Sequence, residues 1–132
     1  AIAGLEVAIA SPPGYSLEGS LELPEGAAGS VTLTEDAREA VRGAQAVYTD
    51  VWVSMGDEAT ADQRRAALSS YRIDDALLDA AAPDAFALHD LPAHPGEEIT
   101  AEVLYGERQR IWDQAENRRH AQKALLELLV SP

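Results

Sequence analysis

Short apolar runs alternate with amphipathic segments along this chain, which is the pattern of strands that alternate with helices. Four apolar runs predict strands, and they cover residues 5–10, 31–34, 46–51 and 86–89. Pro and Gly cluster after the first run, and β-branched residues enrich the second. The runs are largely apolar on both faces, as buried parallel strands are. The sequence therefore predicts the α/β class, with a parallel sheet covered by helices on both faces.

Polar segments with apolar positions at helical spacing predict helices over residues 35–42, 60–70, 74–82 and 113–130. Thr34 is the predicted N-cap of the first helix, which has acidic residues in its first turn and Gly43 after its end. The last helix carries one apolar stripe, formed by Ala121, Leu125, Leu128 and Leu129. Residues 15–29 contain too many glycines and prolines for a helix.

Length and charge narrow the function classes. The chain has 132 residues, enough for one domain with its own core. It carries 23 acidic and 10 basic residues, a formal charge of −13. Because a phosphate backbone or an anionic membrane surface requires clustered positive charge, we expect no nucleic acid and no membrane among the partners. There is no cysteine for a disulfide, a thiolate nucleophile or a zinc site. We expect an acidic, cytoplasmic globular domain.

Ligands of an open parallel sheet bind beyond the carboxyl ends of its strands, and residues 49–56 form one such end. Asp50 follows the third strand, where a carboxylate in a partly desolvated cleft would bind a cationic amine. The alternative is that Asp50 caps the following turn while residues 54–56 only reverse the chain. The residues by themselves favour this alternative.

The second segment, residues 89–96, holds two histidines and an aspartate. Imidazole and carboxylate suit zinc or iron, but the spacing of His89, Asp90 and His94 matches no helical pair of ligands. Local hydrogen bonds are the better interpretation for these histidines. His89 and Asp90 would suit an acid/base pair, but neighbours on a strand point to opposite faces.

The third segment, residues 112–120, forms the first turns of the last helix. An arginine there adds its guanidinium to the positive end of the helix dipole, which suits a phosphate or carboxylate. The alternative is a solvated face on which Glu116 pairs with His120 or Arg119 at helical spacing. Composition and spacing leave both open.

Taken together, these segments resemble the ornithine carbamoyltransferase family. Residues 48–56 are similar to its ornithine loop, residues 88–94 and 96–100 to its His-Cys-Leu-Pro loop, and residues 112–126 to its C-terminal helix. The resemblance runs from Gly4 to Val130, with the strings in family order. It implies a Rossmann-like, L-ornithine-binding second domain over residues 1–132, truncated at its N-terminus. The carbamoyl-phosphate-binding first domain is expected to be absent.

The resemblance implies transfer of a carbamoyl group from carbamoyl phosphate to the side-chain amine of L-ornithine, giving citrulline and phosphate. Carried over by position, the substrate-binding residues are Asp50, Ser54, Met55, His89 and Pro92. Asp50 would hold the ornithine amino group, with Ser54 and Met55 lining the same pocket. The family needs no metal and no cofactor, and its members are homotrimers or multiples of them.

Three residues inherit catalytic positions. The Leu91 carbonyl, before a proline that is cis in the family, would face the carbamoyl nitrogen and the reacting amine. Arg118 would polarise the carbamoyl oxygen and stabilise charge that develops in the transition state. Asp90 stands where the family has cysteine. A carboxylate there would hold an ornithine ammonium more tightly but oppose the deprotonation that attack requires.

Other differences from the family pattern leave two alternative functions open. Pro95 replaces the family's arginine, and the phosphate-binding motif and first strand of the second domain are missing. We therefore expect a sheet without its central strand and no turnover by this chain alone. One alternative is a transcarbamylase for another amine such as putrescine. The other is a non-catalytic binding or assembly fragment, which Asp90 and Pro95 favour.

Overall fold

The computed structural model describes residues 1–130, which form four strands and five α-helices. The strands are β1 (Glu6–Ala10), β2 (Ser30–Thr34), β3 (Ala46–Thr49) and β4 (Phe86–His89). The helices are α1 (Ala37–Ala40), α2 (Ala61–Leu68), α3 (Asp75–Leu78), α4 (Ala101–Leu104) and α5 (Ile111–Val130). Short 3₁₀ turns, Glu58–Thr60 and Ser69–Tyr71, flank α2. None of the helices in this part of the chain combines the length and the apolar character that crossing a lipid bilayer requires.

The strands are parallel, as predicted, but they form two separate pairs. β1 pairs with β2, and Glu6 lies opposite Ser30. β3 pairs with β4, and Ala46 lies opposite Phe86. No ladder joins the two pairs within residues 1–130. The α/β class is confirmed, and the split agrees with a sheet that lacks a central strand.

The core lies around β4 rather than around the first pair. Ala87 is fully buried in the middle of β4, between β3 and the segment that leads into α5. Its N–H donates to the Arg108 carbonyl (2.9 Å), and its carbonyl accepts from the Arg110 N–H (3.0 Å). The other fully or nearly fully buried apolar residues are Ile73, Leu78, Ile99, Val103, Leu104 and Ile111. The prediction that β1 is a buried strand is wrong, because none of its residues is buried.

The N-cap of α1 is Asp36, which corrects the prediction of Thr34. The Asp36 carboxylate accepts from the N–H groups of Arg38 (2.8 Å) and Glu39 (3.3 Å). Thr34 still belongs to β2, where its carbonyl accepts from the Ser11 N–H. The cap lies two residues beyond Thr34, so α1 starts at Ala37, two residues later than predicted.

The helices near the core are shorter than predicted, and one was not predicted. Residues 74–82 contain only α3, which Asp74 caps through its side chain. Thr100 caps α4 through its hydroxyl, which accepts from the Val103 N–H at 3.3 Å. The long C-terminal helix is confirmed, but its apolar stripe is exposed, and Ile111 is its only buried residue.

Candidate functional site

A groove of about 470 Å³ lies where the carboxyl end of β4 meets the first turns of α5. The polar side chains that line it are His89, Asp90, Gln114, Asn117 and Arg118. The first two stand at the end of β4, and the other three lie on α5. This is the position at which a parallel sheet is expected to bind a ligand.

Gln114 fastens α5 to the ends of both strands. Its carboxamide oxygen accepts from the backbone N–H of His89 at 3.2 Å, and its carboxamide nitrogen lies 3.3 Å from the Tyr48 hydroxyl. The helix begins at this point because the Arg110 N–H bonds to the Ala87 carbonyl of β4. Gln114 therefore joins β3, β4 and α5 at the groove.

The His89 side chain is fully buried at one side of the groove and has a partner at each ring nitrogen. Nδ1 accepts from the Leu91 N–H at 2.9 Å, and Nε2 lies 3.2 Å from Oε1 of Glu98. Because Nδ1 accepts only when it carries no proton, Nε2 carries the proton and donates to Glu98. The local hydrogen bonds predicted for this histidine are confirmed.

Glu98 is a buried carboxylate directly behind His89. Its side chain is fully buried, and Oε1 also accepts from the His94 N–H at 2.5 Å. Oε2 has no hydrogen-bond partner within the described chain, and the nearest cationic candidate is Nδ1 of His94 at 3.9 Å. The backbone is fixed as well, because the Ile73 N–H donates to the Glu98 carbonyl at 2.9 Å.

Leu91 has an unusual backbone. Its φ is 60°, in the left-handed region, which a branched residue adopts at a cost of about 1–3 kcal/mol. The peptide bond between Leu91 and Pro92 is cis, as the family resemblance implied. The hydrogen bond from the Leu91 N–H to His89 supports this turn.

Two carboxylates converge with His89 at the ends of β3 and β4. One side-chain oxygen each from Asp50 and Asp90 and one ring nitrogen of His89 lie within 4.8 Å of one another. Both carboxylates are exposed, and Asp50 also accepts from the Val51 N–H at 2.6 Å. The prediction that His89 and Asp90 point apart is wrong: Nδ1 and Oδ1 are 3.5 Å apart, because β4 ends at His89.

Among residues 1–130, the same three side chains form the set that could hold a metal ion. The Nδ1 lone pair of His89 already accepts from Leu91, and Nε2 carries the proton that bonds to Glu98. A metal would have to displace one of these bonds to gain an imidazole ligand. The cluster therefore fits a cationic amine, which needs only acceptors, better than a metal.

Arg118 lines the groove from α5, and no salt bridge holds its guanidinium within residues 1–130. Its neighbour Arg119 pairs with Glu116, and Nε2 of His120 lies 3.1 Å from the same Glu116 oxygen. The solvated-face interpretation thus describes residues 116, 119 and 120. It leaves Arg118 available to an anionic or carbonyl oxygen.

The loop that contains Ser54 and Met55 is exposed, and hydrogen bonds between its own residues stabilise its turn. The Glu58 carboxylate accepts from the Gly56 N–H at 3.0 and 3.1 Å. Hydrogen bonds from the backbone N–H groups of Glu58 itself and of Gly56 hold the pKa of the Glu58 carboxyl below its ordinary value. Asp57 pairs with Arg64 of α2 at 3.0 Å.

The structure therefore brings together Asp50, His89, Asp90 and Arg118 of the predicted site residues, with Leu91 and Pro92 beside them. Ser54 and Met55 stand apart on the exposed loop. Sequence reasoning missed Gln114 and Glu98. Both lie inside the segments that carry the family resemblance, which was the only signal for them.

Comparisons with known proteins identify the family of the chain. Residues 1–129 match the family model described as "Aspartate/ornithine carbamoyltransferase, Asp/Orn binding domain". The ornithine carbamoyltransferase of Methanoculleus marisnigri is 52% identical over 132 residues, which are 99% of this chain and 43% of that protein. That of Geobacter sulfurreducens is 48% identical, over 98% of this chain and 44% of that protein. The chain thus spans less than half the length of these relatives.

Solved structures of ornithine carbamoyltransferases have the same fold as this chain. Ornithine carbamoyltransferase from Pyrococcus furiosus superposes with a TM-score of 0.82 at 41% identity, over 93% of this chain and 41% of that one. The Thermus thermophilus enzyme gives 0.78 at 39% identity, over 98% of this chain and 41% of that one. The chain belongs to the aspartate/ornithine carbamoyltransferase family and matches its Asp/Orn binding domain.

Proposed function

We propose that this chain is the L-ornithine-binding part of an ornithine carbamoyltransferase. The observation that carries the proposal is the meeting of Asp50 and Asp90 at the strand ends, together with Arg118 of α5, which lines the same groove as Asp90. Two carboxylates favour a cationic amine and repel a second carboxylate on the substrate. Within this family they therefore favour ornithine over aspartate as the amine substrate.

In the proposed reaction, the side-chain amine of ornithine attacks the carbamoyl carbon of carbamoyl phosphate. A C–N bond forms, the bond from that carbon to the phosphate oxygen breaks, and phosphate leaves with the bonding electrons. The proton of the attacking amine passes to the departing phosphate, and citrulline is formed. Arg118 would stabilise the carbamoyl oxygen as its charge grows, and the Leu91 carbonyl would accept a hydrogen bond from the reacting nitrogen.

The two carboxylates have different proposed roles: Asp50 binds the substrate, and Asp90 lies near the reacting amine. Asp50 would hold the α-ammonium group, with Ser54 and Met55 closing on the amino acid and Pro92 shaping the loop at the reacting end. Asp90 lies beside the position of the side-chain ammonium. Its charge stabilises the protonated amine, whereas attack requires the neutral one. The His89 ring is buried, so it would support the substrate-binding loop from the protein side of the groove.

Carbamoyl phosphate would be supplied by a part of the complete enzyme that this chain does not provide. We accordingly propose that the chain by itself binds ornithine and gives no citrulline, and that the complete enzyme is a cytoplasmic homotrimer. The other amine alternative, putrescine, has the diamine skeleton of ornithine without its carboxylate. In this proposal the Ser54 and Met55 loop closes on the amino-acid end, so putrescine should bind more weakly.

The test is a two-dimensional amide NMR titration of the 132-residue chain with L-ornithine, putrescine and L-aspartate. We expect ornithine to move the signals of residues 50, 90, 91 and 118, putrescine to act at higher concentration, and aspartate to have no effect. Assays with carbamoyl phosphate should give no citrulline. A well-dispersed spectrum that ornithine leaves unchanged would support the non-catalytic alternative and remove the proposal.

A further inference from the structure

We infer that Glu98 is a positioning residue for the groove: it acts through His89 to fix the Leu91 backbone and makes no contact with substrate itself. Its bearing on catalysis rests on the proposed function, in which the Leu91 carbonyl faces the reacting amine. The arrangement itself consists of four hydrogen-bonding groups at and after the end of β4. They are the Glu98 carboxylate, the His89 ring and the backbone N–H groups of Leu91 and His94.

The chain of contacts runs from the core to the groove. Glu98 Oε1 accepts from Nε2–H of His89, which leaves Nδ1 of the same ring unprotonated. Nδ1 then accepts the Leu91 N–H at 2.9 Å. A proton at Nδ1 would face that N–H with a second donor. The acceptor on Glu98 therefore selects the tautomer that allows the Leu91 turn.

Leu91 needs such support because its φ of 60° is unfavourable for a branched side chain. The φ and ψ angles of a residue set the direction of its carbonyl relative to its N–H. A bond that fixes the Leu91 N–H therefore limits the directions in which its carbonyl can point.

The burial of Glu98 carries a cost in hydration free energy. Its side chain has no solvent exposure, and Oε2 has no partner within residues 1–130. A buried carboxylate with an unpartnered oxygen loses hydration without full compensation. Its second bond, from the His94 N–H at 2.5 Å, joins the far end of the same loop to the same oxygen. One oxygen thus fixes both sides of the loop that holds Leu91 and Pro92.

Glu97 provides a matched control. It neighbours Glu98 but faces outward and pairs with Arg65 of α2 at 3.1 Å. Removing its carboxylate alters charge and loop anchoring by one ion pair without touching His89. Glu98→Gln keeps an acceptor oxygen for His89 and His94, whereas Glu98→Leu removes it and leaves a side chain of similar size.

The experiment measures the ring nitrogens of His89 and the Leu91 amide by NMR in the 132-residue chain. In the unmodified chain and in Glu98→Gln we expect Nδ1 unprotonated and Nε2 protonated, with a protected Leu91 amide. In Glu98→Leu we expect that tautomer to be lost and Leu91 hydrogen exchange to quicken about tenfold, the usual worth of one hydrogen bond. Glu97→Leu should match the unmodified chain.

A proton on Nδ1 in the unmodified chain would overturn the inference, and this measurement stands even if Glu98→Leu fails to fold. Loss of the tautomer in Glu98→Gln would also overturn it, because the charge would then matter rather than the acceptor. The ornithine titration decides the proposed function separately. A chain that shows the expected tautomer but binds no ornithine retains the positioning role and loses the proposed function.

Discussion

The carboxamide oxygen of Gln114 accepts the backbone N–H of His89 at 3.2 Å, so the first turns of α5 are fastened to the last residue of β4. Replacing Gln114 by Leu removes this bond and the one to the Tyr48 hydroxyl. We expect a loss of about 1–2 kcal/mol in the free energy of unfolding, measured by urea denaturation, and weaker ornithine binding.

The matched control is Gln122→Leu, an exposed carboxamide on the same helix. It should change the free energy of unfolding by no more than about 0.5 kcal/mol. Equal effects of the two substitutions would contradict a specific role for Gln114.

Asp50 should dominate the affinity for ornithine. Asp50→Asn keeps the side chain's size and removes the charge that we propose faces the ammonium group. We expect the dissociation constant to rise about tenfold or more, since hydrogen bonds to charged groups contribute about 1.5–3 kcal/mol. Calorimetric titration at low and at high salt checks this, because screening weakens the interaction in the unmodified chain. Asp84→Asn, an exposed carboxylate away from the groove residues, is the control and should bind ornithine as the unmodified chain does.

Ile111 should be the residue of α5 on which stability most depends. It is fully buried, whereas Leu128 on the same helix is 81% exposed. Ile111→Ala should lower the free energy of unfolding by about 2–5 kcal/mol because it leaves a cavity. Leu128→Ala should stay within about 0.5 kcal/mol of the parent. Thermal and urea unfolding measure both, and a larger loss in Leu128→Ala would show that the exposed stripe is covered in solution.

Two substitutions distinguish Asp36, which caps α1 in the structure, from Thr34, which the sequence predicted as the cap. Asp36→Ala removes the acceptor for two N–H groups and should cost about 1 kcal/mol, as lost N-caps do. Thr34→Val removes only the hydroxyl, which bonds to the Asp36 N–H and the Glu39 carboxylate. We expect Thr34→Val to lower the free energy of unfolding, measured by urea denaturation, by less than Asp36→Ala does. The reverse order would restore Thr34 as the cap.

The turn after Ser54 and Met55 should loosen in acid. Backbone hydrogen bonds lower the folded-state pKa of Glu58 below its ordinary value of 4.5, so ionised Glu58 favours the folded turn. This contribution is complete above that ordinary value and disappears as the pH falls through the folded-state pKa. The Gly56 amide signal should follow this titration in NMR spectra. In Glu58→Gln the same signal should be independent of pH across that window; an unchanged titration there would exclude Glu58 as its cause.

The placement of strands and of the last helix was predictable because each depends on residues close together in the sequence. β4 appears at residues 86–89 as predicted, since its apolar run is bounded by Pro83 on one side and a polar loop on the other. The split of the sheet into two pairs was predictable only from the family resemblance. Burial was predicted poorly: β1 and the stripe on α5 have apolar patterns, but none of the residues of either is buried within residues 1–130.

The sequence by itself determined the α/β class, the parallel strands, the polar residues Asp50 and Asp90 at the strand ends, and Arg118 on the last helix. The tertiary structure decided which of these side chains meet and what holds them. His89 bonds to Glu98, nine residues away, and to Gln114, twenty-five residues away. No short sequence pattern indicates either contact. The first requires the loop after β4 to fold back, and the second requires α5 to start beside that strand. Local patterns specify strands and helices, whereas contacts between distant residues place the groups that the chemistry needs.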